Sequence, residues 1–325
     1  MSDAAGRYPS IVILTNGNYF AGITLSPTIA RYRDQICLGI IISGDYHART
    51  GWRAGWALLK EMTFPYFVYK VLTVVLPKLL ARFHPHYGSD VAALLKQAGI
   101  EQISEPTVDS ERVRQSLAHA RPDIIVSVSC PQKIGADLTS LARRAAINIH
   151  SSLLPRYAGL APYFWVLSRG EAETGVTVHH MTEKFDAGNI LARRRLPVTP
   201  GVSAFALFEE LARAGGEALV DAIEAASRGS VGEEQRHAER SYFSHPTFRS
   251  YIELRRRGHR LIALSDLLSF VRSTVRAKGD RAAVNQPPAH PAPKVPSSAA
   301  MEKRRVGAGS SKPVAAHNSD QEMVI

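Results

Sequence analysis

Short apolar runs, each closed by turn residues and followed by a helical pattern, constrain this chain more than any other feature. The first is Ile11-Val12-Ile13-Leu14, ending in Thr15-Asn16-Gly17-Asn18. A second covers 36–42 and stops at Ser43-Gly44-Asp45; another, Ile124-Ile125-Val126-Ser127-Val128, follows Pro122-Asp123. Runs this short, with no polar residue on alternate positions, suit strands covered on both faces, as in a parallel sheet. Helical signals lie between them. Residues 90–99 put Val91, Leu94 and Leu95 on one face and stop at Gly99, and Ser110 caps a helix over 111–120 with Val113 and Leu117 inward. Further strands are expected at 145–150 and 175–181, and further helices at 162–167, behind the Ser203 cap, over 247–257 and at 263–271. The alternation predicts an α/β fold, a doubly wound, mostly parallel sheet with helices on both faces.

Charge narrows the function classes. Lys and Arg number 40 against 29 Asp and Glu, a formal net charge of +11. The surplus gathers late, in Arg255, Arg256, Arg257, Arg260 and the basic residues beyond Arg272, with no nucleic-acid reader motif beside it. Loose attraction to polyanions follows from that; specific nucleic-acid binding does not. The two cysteines, Cys37 and Cys130, form neither a disulfide framework nor a metal-ligand spacing, so no metal is expected and a reducing, cytoplasmic setting is. The N-terminus lacks the pattern of a signal peptide. Residues 62–80 are strongly apolar but broken by Pro65, Lys70, Pro77 and Lys78, short of a membrane span. They read as a buried helix, a contact in a homo-oligomer, or a helix lying on a membrane surface. After Arg276 the composition falls to Ala, Pro, Ser, Lys and Gly, which cannot bury enough apolar area to offset the entropy of ordering; residues 277–325 are expected to be disordered.

The chemistry concentrates in residues 146–191, AINIHSSLLPRYAGLAPYFWVLSRGEAETGVTVHHMTEKFDAGNIL. Strand side chains alternate between faces, so Asn148 and His150 project together, at the carboxyl end of a buried strand where open α/β sheets bind ligands. On the next strand Val176, Val178 and His180 share one face, Thr177 and His179 the other. Asp186 follows in a turn flanked by small residues, Ala187 and Gly188. An asparagine, a histidine and a carboxylate suit acyl transfer to an amine. The Asn148 amide is a fixed donor for the oxygen of a tetrahedral intermediate. His150 can donate to that oxygen or move the amine proton, and Asp186 can orient the imidazole and favour its charged form. No serine or cysteine is placed as a nucleophile. Asn-x-His by itself is an ordinary polar strand end; the whole string is not.

That string resembles the folate-dependent formyltransferase family, which includes glycinamide ribonucleotide, methionyl-tRNA and sugar-nucleotide formyltransferases. The matching pieces are N-I-H-S-S-L-L-P, Arg156-Tyr157-Ala158-Gly159, G-V-T-V-H and F-D-A-G-N-I-L, in the expected order. The resemblance implies that Asn148, His150 and Asp186 are catalytic and that the formyl donor is 10-formyltetrahydrofolate. It implies a pteridine site along Cys130, Pro131, Gln132 and Ile134, a formyl-site turn through Ser151, Leu153, Leu154 and Pro155, and a far wall at the Asp186 turn with Gly188. Asn16, Arg156, Tyr157 and His179 fall on the acceptor side. The catalytic domain would span 9–200, with an apolar helical insertion over about 52–83, and a helical extension would follow at 201–275. The turn after the first strand lacks the family's phosphate-cradling glycine cluster, which disfavours a glycinamide ribonucleotide, and no tRNA-gripping barrel domain is evident beyond Val198. A small amine, an amino sugar or an amino acid, is therefore the expected acceptor. A methionyl-tRNA formyltransferase relative and a non-catalytic, membrane-surface protein on the same scaffold stand as alternatives.

Overall fold

The computed structural model describes residues 8–45, 50, 56, 62–83 and 90–268. Seven strands form one sheet: β1 (Ile11–Thr15), β2 (Ile36–Ile42), β3 (Gln102–Glu105), β4 (Ile124–Val128), β5 (Ala145–His150), β7 (Glu173–His180) and β8 (Ile190–Pro197), in the order β3-β2-β1-β4-β5-β7-β8. The first five run parallel, β7 lies antiparallel to β5, and β8 antiparallel to β7. A separate pair joins β6 (Ala158–Gly159) to β9 (Tyr242–Phe243).

The two-residue period of β1 sorts its side chains into two cores. Ile11 and Ile13 face one apolar cluster, Val12 and Leu14 the other. The first cluster is completed by α1 (Tyr19–Tyr32), the front of α2 (Phe64–Phe83), α3 (Val91–Gln97), α6 (Pro162–Arg169), α7 (Ala204–Ser227) and α8 (Phe248–Arg256); the second by α4 (Glu111–Ala120) and the short α5 (Ala136–Thr139). The sheet is thus covered on both faces, the doubly wound arrangement that the apolar runs require. The expected caps form, Ser110 accepting from Val113 N and Ser203 from Ala206 N, and Asp90 caps a third helix by accepting from Ala92 N.

Two strands have no apolar run to announce them. In β3 only Ile103 is buried, because the strand is a short sheet edge. In β8 Arg193, Arg194 and Arg195 lie along the opposite edge, and Arg193 Nη2 reaches the Leu154 carbonyl at 3.1 Å. The helix from 204 onward packs across α1, with Thr24 Oγ1 donating to the Ala212 carbonyl at 3.2 Å. Inside the expected insertion, α2 is held by Tyr66 and Tyr69, both buried, with the Tyr66 and Tyr163 hydroxyls 2.9 Å apart. Its opposite face shows Phe64, Val68 and Val71 to solvent. Among the described residues no helix is long and apolar enough to cross a membrane. The expected tail at 277–325 lies outside the described residues.

Candidate active site

Register brings the polar residues together. In the antiparallel β5–β7 pair, Asn148 lies opposite His179 and His150 opposite Thr177. Residues directly opposite share a face, so four polar side chains occupy one side of this pair while Ile149 and Val178 pack on the other. The Asn148 Nδ2 and His179 Nε2 atoms are 3.3 Å apart. His179 Nδ1 donates to the His180 carbonyl at 2.8 Å, which leaves Nε2 as the ring nitrogen turned toward the Asn148 amide. His179 is almost wholly enclosed, inside the site and not at its mouth.

Asp186 completes the cluster from its turn. Its Oδ1 lies 3.6 Å from His150 Nδ1 and 3.7 Å from His179 Nε2, and its Oδ2 accepts from Gly159 N at 2.9 Å. Burial pushes this carboxyl up, but the charge of His150, the hydrogen bond and charge of His179, and the Gly159 N–H together outweigh it and hold the group well below the usual carboxylate range. The turn itself is unusual: Asp186 has φ +49, a left-handed conformation rare outside glycine. Two residues on, Gly188 touches the preceding strand so closely that a Cβ would sit 1.9 Å from the His180 carbonyl oxygen. Only a glycine allows that approach.

His150, buried at the end of β5, donates from Nε2 to the Tyr157 carbonyl at 2.8 Å. That fixes which nitrogen faces the carboxylate: Nδ1. Tyr157, at φ +59, belongs to the loop that follows β5. Thr177, fully buried, braces the start of this loop by donating to the Ser152 carbonyl at 2.7 Å and accepting from Leu154 N at 3.1 Å. Ser152 Oγ closes the turn on the Arg156 carbonyl at 2.8 Å, and the Leu154–Pro155 peptide is cis. Ser151, Leu153 and Pro155 lie on the same turn, with Leu154 and Pro155 buried.

The other expected residues take varied places. Asn16 sits at the carboxyl end of β1, its Oδ1 accepting from Asn18 N at 3.1 Å. Arg156 is paired with Glu171 and lies over the Tyr157 ring, and the Tyr157 hydroxyl also donates to Glu171 at 2.6 Å. Both side chains are thus committed to Glu171, and it is the Tyr157 carbonyl that meets His150. In the segment after β4, the Gln132 side chain accepts from Val108 N at 2.8 Å and donates to the Asp45 and Pro106 carbonyls at 2.8 and 2.9 Å, bracing three loops. Ile134 is buried in the second core, Cys130 packs against that core, and Pro131 is half-buried. Burial pushes the Cys130 thiol up to about 11, so it behaves as a small apolar group. Lys133 Nζ stands over the exposed Phe185 ring, 5.6 Å from its centroid, linking this segment to the Asp186 turn.

Sequence reasoning missed three contributors: Thr177, Gln235 and Arg240. Thr177 could have been found from its place two residues before His179, on the same face of one strand. Gln235 and Arg240 carry no such signal. They hold the Asp186 turn from behind, through backbone carbonyls, from more than forty positions away.

The chain is a doubly wound α/β sheet with asparagine, histidine and aspartate gathered at the carboxyl end of an inner strand, the edge at which open sheets of this kind bind ligands. The family model for formyl transferase matches residues 85–223, a stretch that contains Asn148, His150 and Asp186. The match is confined to this stretch of the chain. Among solved structures it is similar to phosphoribosylglycinamide formyltransferase from Anaplasma phagocytophilum, with TM-score 0.50, 15% identity, and 73% of this chain and 99% of that chain covered. It is also similar to a sugar N-formyltransferase from Shewanella sp. FDAARGOS_354, at TM-score 0.49 and 15% identity, covering 77% of this chain and 87% of that one. A third is the N-formyltransferase from Helicobacter canadensis, in complex with folinic acid and dTDP-3-aminofucose, at TM-score 0.48 and 16% identity, covering 73% and 71%. At these identities the likeness is one of fold.

Proposed function

We propose that this chain transfers a formyl group from 10-formyltetrahydrofolate to a primary amine on a small molecule, an amino sugar or an amino acid. The observation that carries the reading is the buried cluster in which Asp186 contacts both His150 and His179 while Asn148 meets His179 from the same strand face. The neutral amine attacks the formyl carbon, the carbonyl π pair moves onto oxygen, and a tetrahedral intermediate forms. The Asn148 amide has a second N–H beyond the one used on His179, a donor for that oxygen. The Nε2–H of His150, which rests on the Tyr157 carbonyl, is the second donor, and reaches the oxygen by leaving or sharing that acceptor. Asp186, ionised at neutral pH, favours the imidazolium form of His150 and takes the proton lost by the attacking nitrogen through a water, then returns it to the folate N10 as that bond breaks. Collapse breaks the bond from carbon to the folate N10, which takes a proton, releasing tetrahydrofolate and the formamide.

For the donor, the segment after β4 offers half-buried, apolar Cys130 and Pro131, and its Lys133 stands over the Phe185 ring of the Asp186 turn, which together suit a flat heterocycle. Because the Gln132 amide is fully used as a brace, the backbone of this segment is the part that would read the pteridine. Catalysis is tested by release of tetrahydrofolate against a panel of amino sugars, nucleotide-linked amino sugars and amino acids. His150→Ala and Asp186→Asn should each lower kcat about 10²- to 10⁴-fold with the fold intact. Wild-type rates in either variant would remove that residue from the mechanism, and no transfer to any amine would sink the reading. Saturable tRNA retention at physiological salt would favour the tRNA-formylating alternative.

A second activity is favoured by α2. Phe64, Val68 and Val71 recur at helical spacing on its exposed face, and no acidic residue occurs from Met62 to Tyr87 while Lys70, Lys78 and Arg82 do. We infer peripheral contact with anionic bilayers, leaving transfer itself unaffected. Flotation with vesicles containing phosphatidylserine should fall on Phe64→Ser/Val68→Ser substitution; unchanged flotation removes this contact, and a mass shift in light scattering would assign the face to a homo-oligomer.

A further inference from the structure

We propose that Gln235 and Arg240 are positioning residues, which hold the Asp186 turn against His150 and His179. Residues 233–243 form a strap that starts on β8, where Ile190 and Glu233 exchange backbone hydrogen bonds of 2.7 and 2.8 Å. The strap then crosses behind the turn. Gln235 Nε2 donates to the carbonyls of Asp186 and Gly188, at 3.2 and 2.7 Å. Arg240 Nη1 donates to the Asp186 carbonyl at 3.0 Å, and its Nη2 to the Phe185 carbonyl at 2.7 Å. Four hydrogen bonds from three nitrogens thus converge on three carbonyls of one tight turn, and none of the four goes to the Asp186 carboxylate.

The strap ends on the loop that holds His150. Tyr157 N donates to Ser241 Oγ at 2.9 Å, Ala158 N to the Ser241 carbonyl at 2.9 Å, and Leu160 N to the Phe243 carbonyl at 2.8 Å. One segment therefore sets both neighbours of His150, the Tyr157 carbonyl on Nε2 and the Asp186 carboxylate on Nδ1. Two observations argue for function over packing. The turn is held in a left-handed conformation at Asp186, which persists only where the surroundings impose it. And Gln235, 3% exposed, keeps its Oε1 buried with no hydrogen-bond partner, a cost that an apolar side chain would avoid. The strap also lies beyond residue 223, where the family match ends.

The groups facing the Asp186 carboxylate are His150 from β5, His179 from β7 and the Gly159 N–H; on its own turn Glu183 and Lys184 are exposed. If the turn is released, the carboxyl leaves the imidazoles and burial alone acts on it, so its titration moves upward. The test is NMR titration of the full chain labelled at Asp Cγ, with Asp186 assigned by its loss in Asp186→Asn. The wild-type resonance should be flat between about pH 7 and about pH 4, and should move within that window in Arg240→Ala and Gln235→Leu. Arg240→Lys, which can keep one carbonyl bond, should restore part of the wild-type behaviour. A flat resonance in both Arg240→Ala and Gln235→Leu overturns the proposal. If Gln235→Leu does not fold, Arg240→Ala, at a half-buried edge position, decides alone.

The kinetic arm rests on the formyl-transfer reading. With the best amine of the panel above, kcat should fall about 10- to 100-fold in Arg240→Ala, with the KM for 10-formyltetrahydrofolate nearly unchanged, because a turn misplaced by an ångström misaligns the chemistry without emptying the donor site. An unchanged kcat also overturns the proposal. A wild type that transfers nothing sinks the formyl-transfer reading and leaves the carboxyl titration to judge the strap.

Discussion

The two halves of the sheet are built on opposite principles. From β3 to β4 the interior is almost wholly apolar: β1 is buried along its whole length, as is β4, and their polar residues are Thr15 and Ser127. From β5 to β8 the sheet carries Asn148, His150, Thr177 and His179 on one face and three arginines at its edge. The first half is rigid because dispersion and burial act on all sides. The second is rigid because each polar group has a directed partner, so its precision depends on a small number of hydrogen bonds. Damage to the first half should therefore appear as lost stability, and damage to the second as lost turnover.

The sharpest way to break that contrast is Asp186→Asn. It should leave the packing of β1 and β4 untouched while lowering turnover about 10²- to 10⁴-fold. It also has a pH signature. The Asp186 carboxyl is held well below its ordinary value, so it stabilises the fold above the unfolded carboxylate range of about 3.9, and that contribution is lost as pH falls toward the folded value. The stability gap between wild type and Asp186→Asn in urea should then be widest near neutrality and close in acid. A gap that widened on acidification would contradict the sign of the shift.

Gly188→Ala comes next. The added Cβ would meet the His180 carbonyl oxygen at 1.9 Å, so either β7 or the Asp186 turn must move. We expect about a 10- to 100-fold loss of kcat, since displacement of the carboxylate by an ångström is costly to an aligned site. A rate within twofold of wild type, about 0.4 kcal/mol in the barrier, would show that the turn tolerates movement and weaken the case for hydrogen-bonded precision in this half.

How much of this could be read in advance follows the same division. The first half was legible because burial on both faces leaves its mark on consecutive residues: Ile11 to Leu14 and Ile124 to Val128 could hardly be anything but interior strands. Asn148, His150 and Asp186 were legible through the family string. Their convergence rested on strand parity, which places Asn148 and His150 on one face. The edge strand Gln102–Glu105 was not legible, since an edge buries only Ile103 and needs no run. The strap was not legible either. Gln235 and Arg240 act on carbonyls, which are the same in every residue, so the contact leaves no pattern on the turn it holds.

Leu117→Ala sharpens the comparison from the other side. Leu117 is fully buried where α4 packs on the sheet, in the cluster with Val12, Leu14 and Ile125. Truncation should cost about 2–5 kcal/mol of stability, read as a lower urea midpoint with an unchanged slope. Turnover per folded molecule should stay within about twofold, since none of the directed partners of the site is touched. A larger kinetic loss would mean that the apolar half transmits strain into the polar half.

The smallest effect is expected at the boundary between the halves. Cys130 follows β4 and packs against the second core, and burial pushes its thiol up to about 11. Since the thiolate is the reacting form, alkylation by iodoacetamide near pH 8 should run about a thousandfold below that of a fully ionised thiol and rise about tenfold per pH unit up to that value. Mass spectrometry of Cys130 peptides over a pH series checks this against Cys37, whose exposed position provides an internal reference. Added 5-formyltetrahydrofolate should slow Cys130 further and leave Cys37 alone, because the segment after β4, unlike β2, forms a wall of the proposed donor site. Rapid labelling of Cys130 at neutral pH would mean that this segment opens readily, and that the polar half begins at β4, one strand before β5.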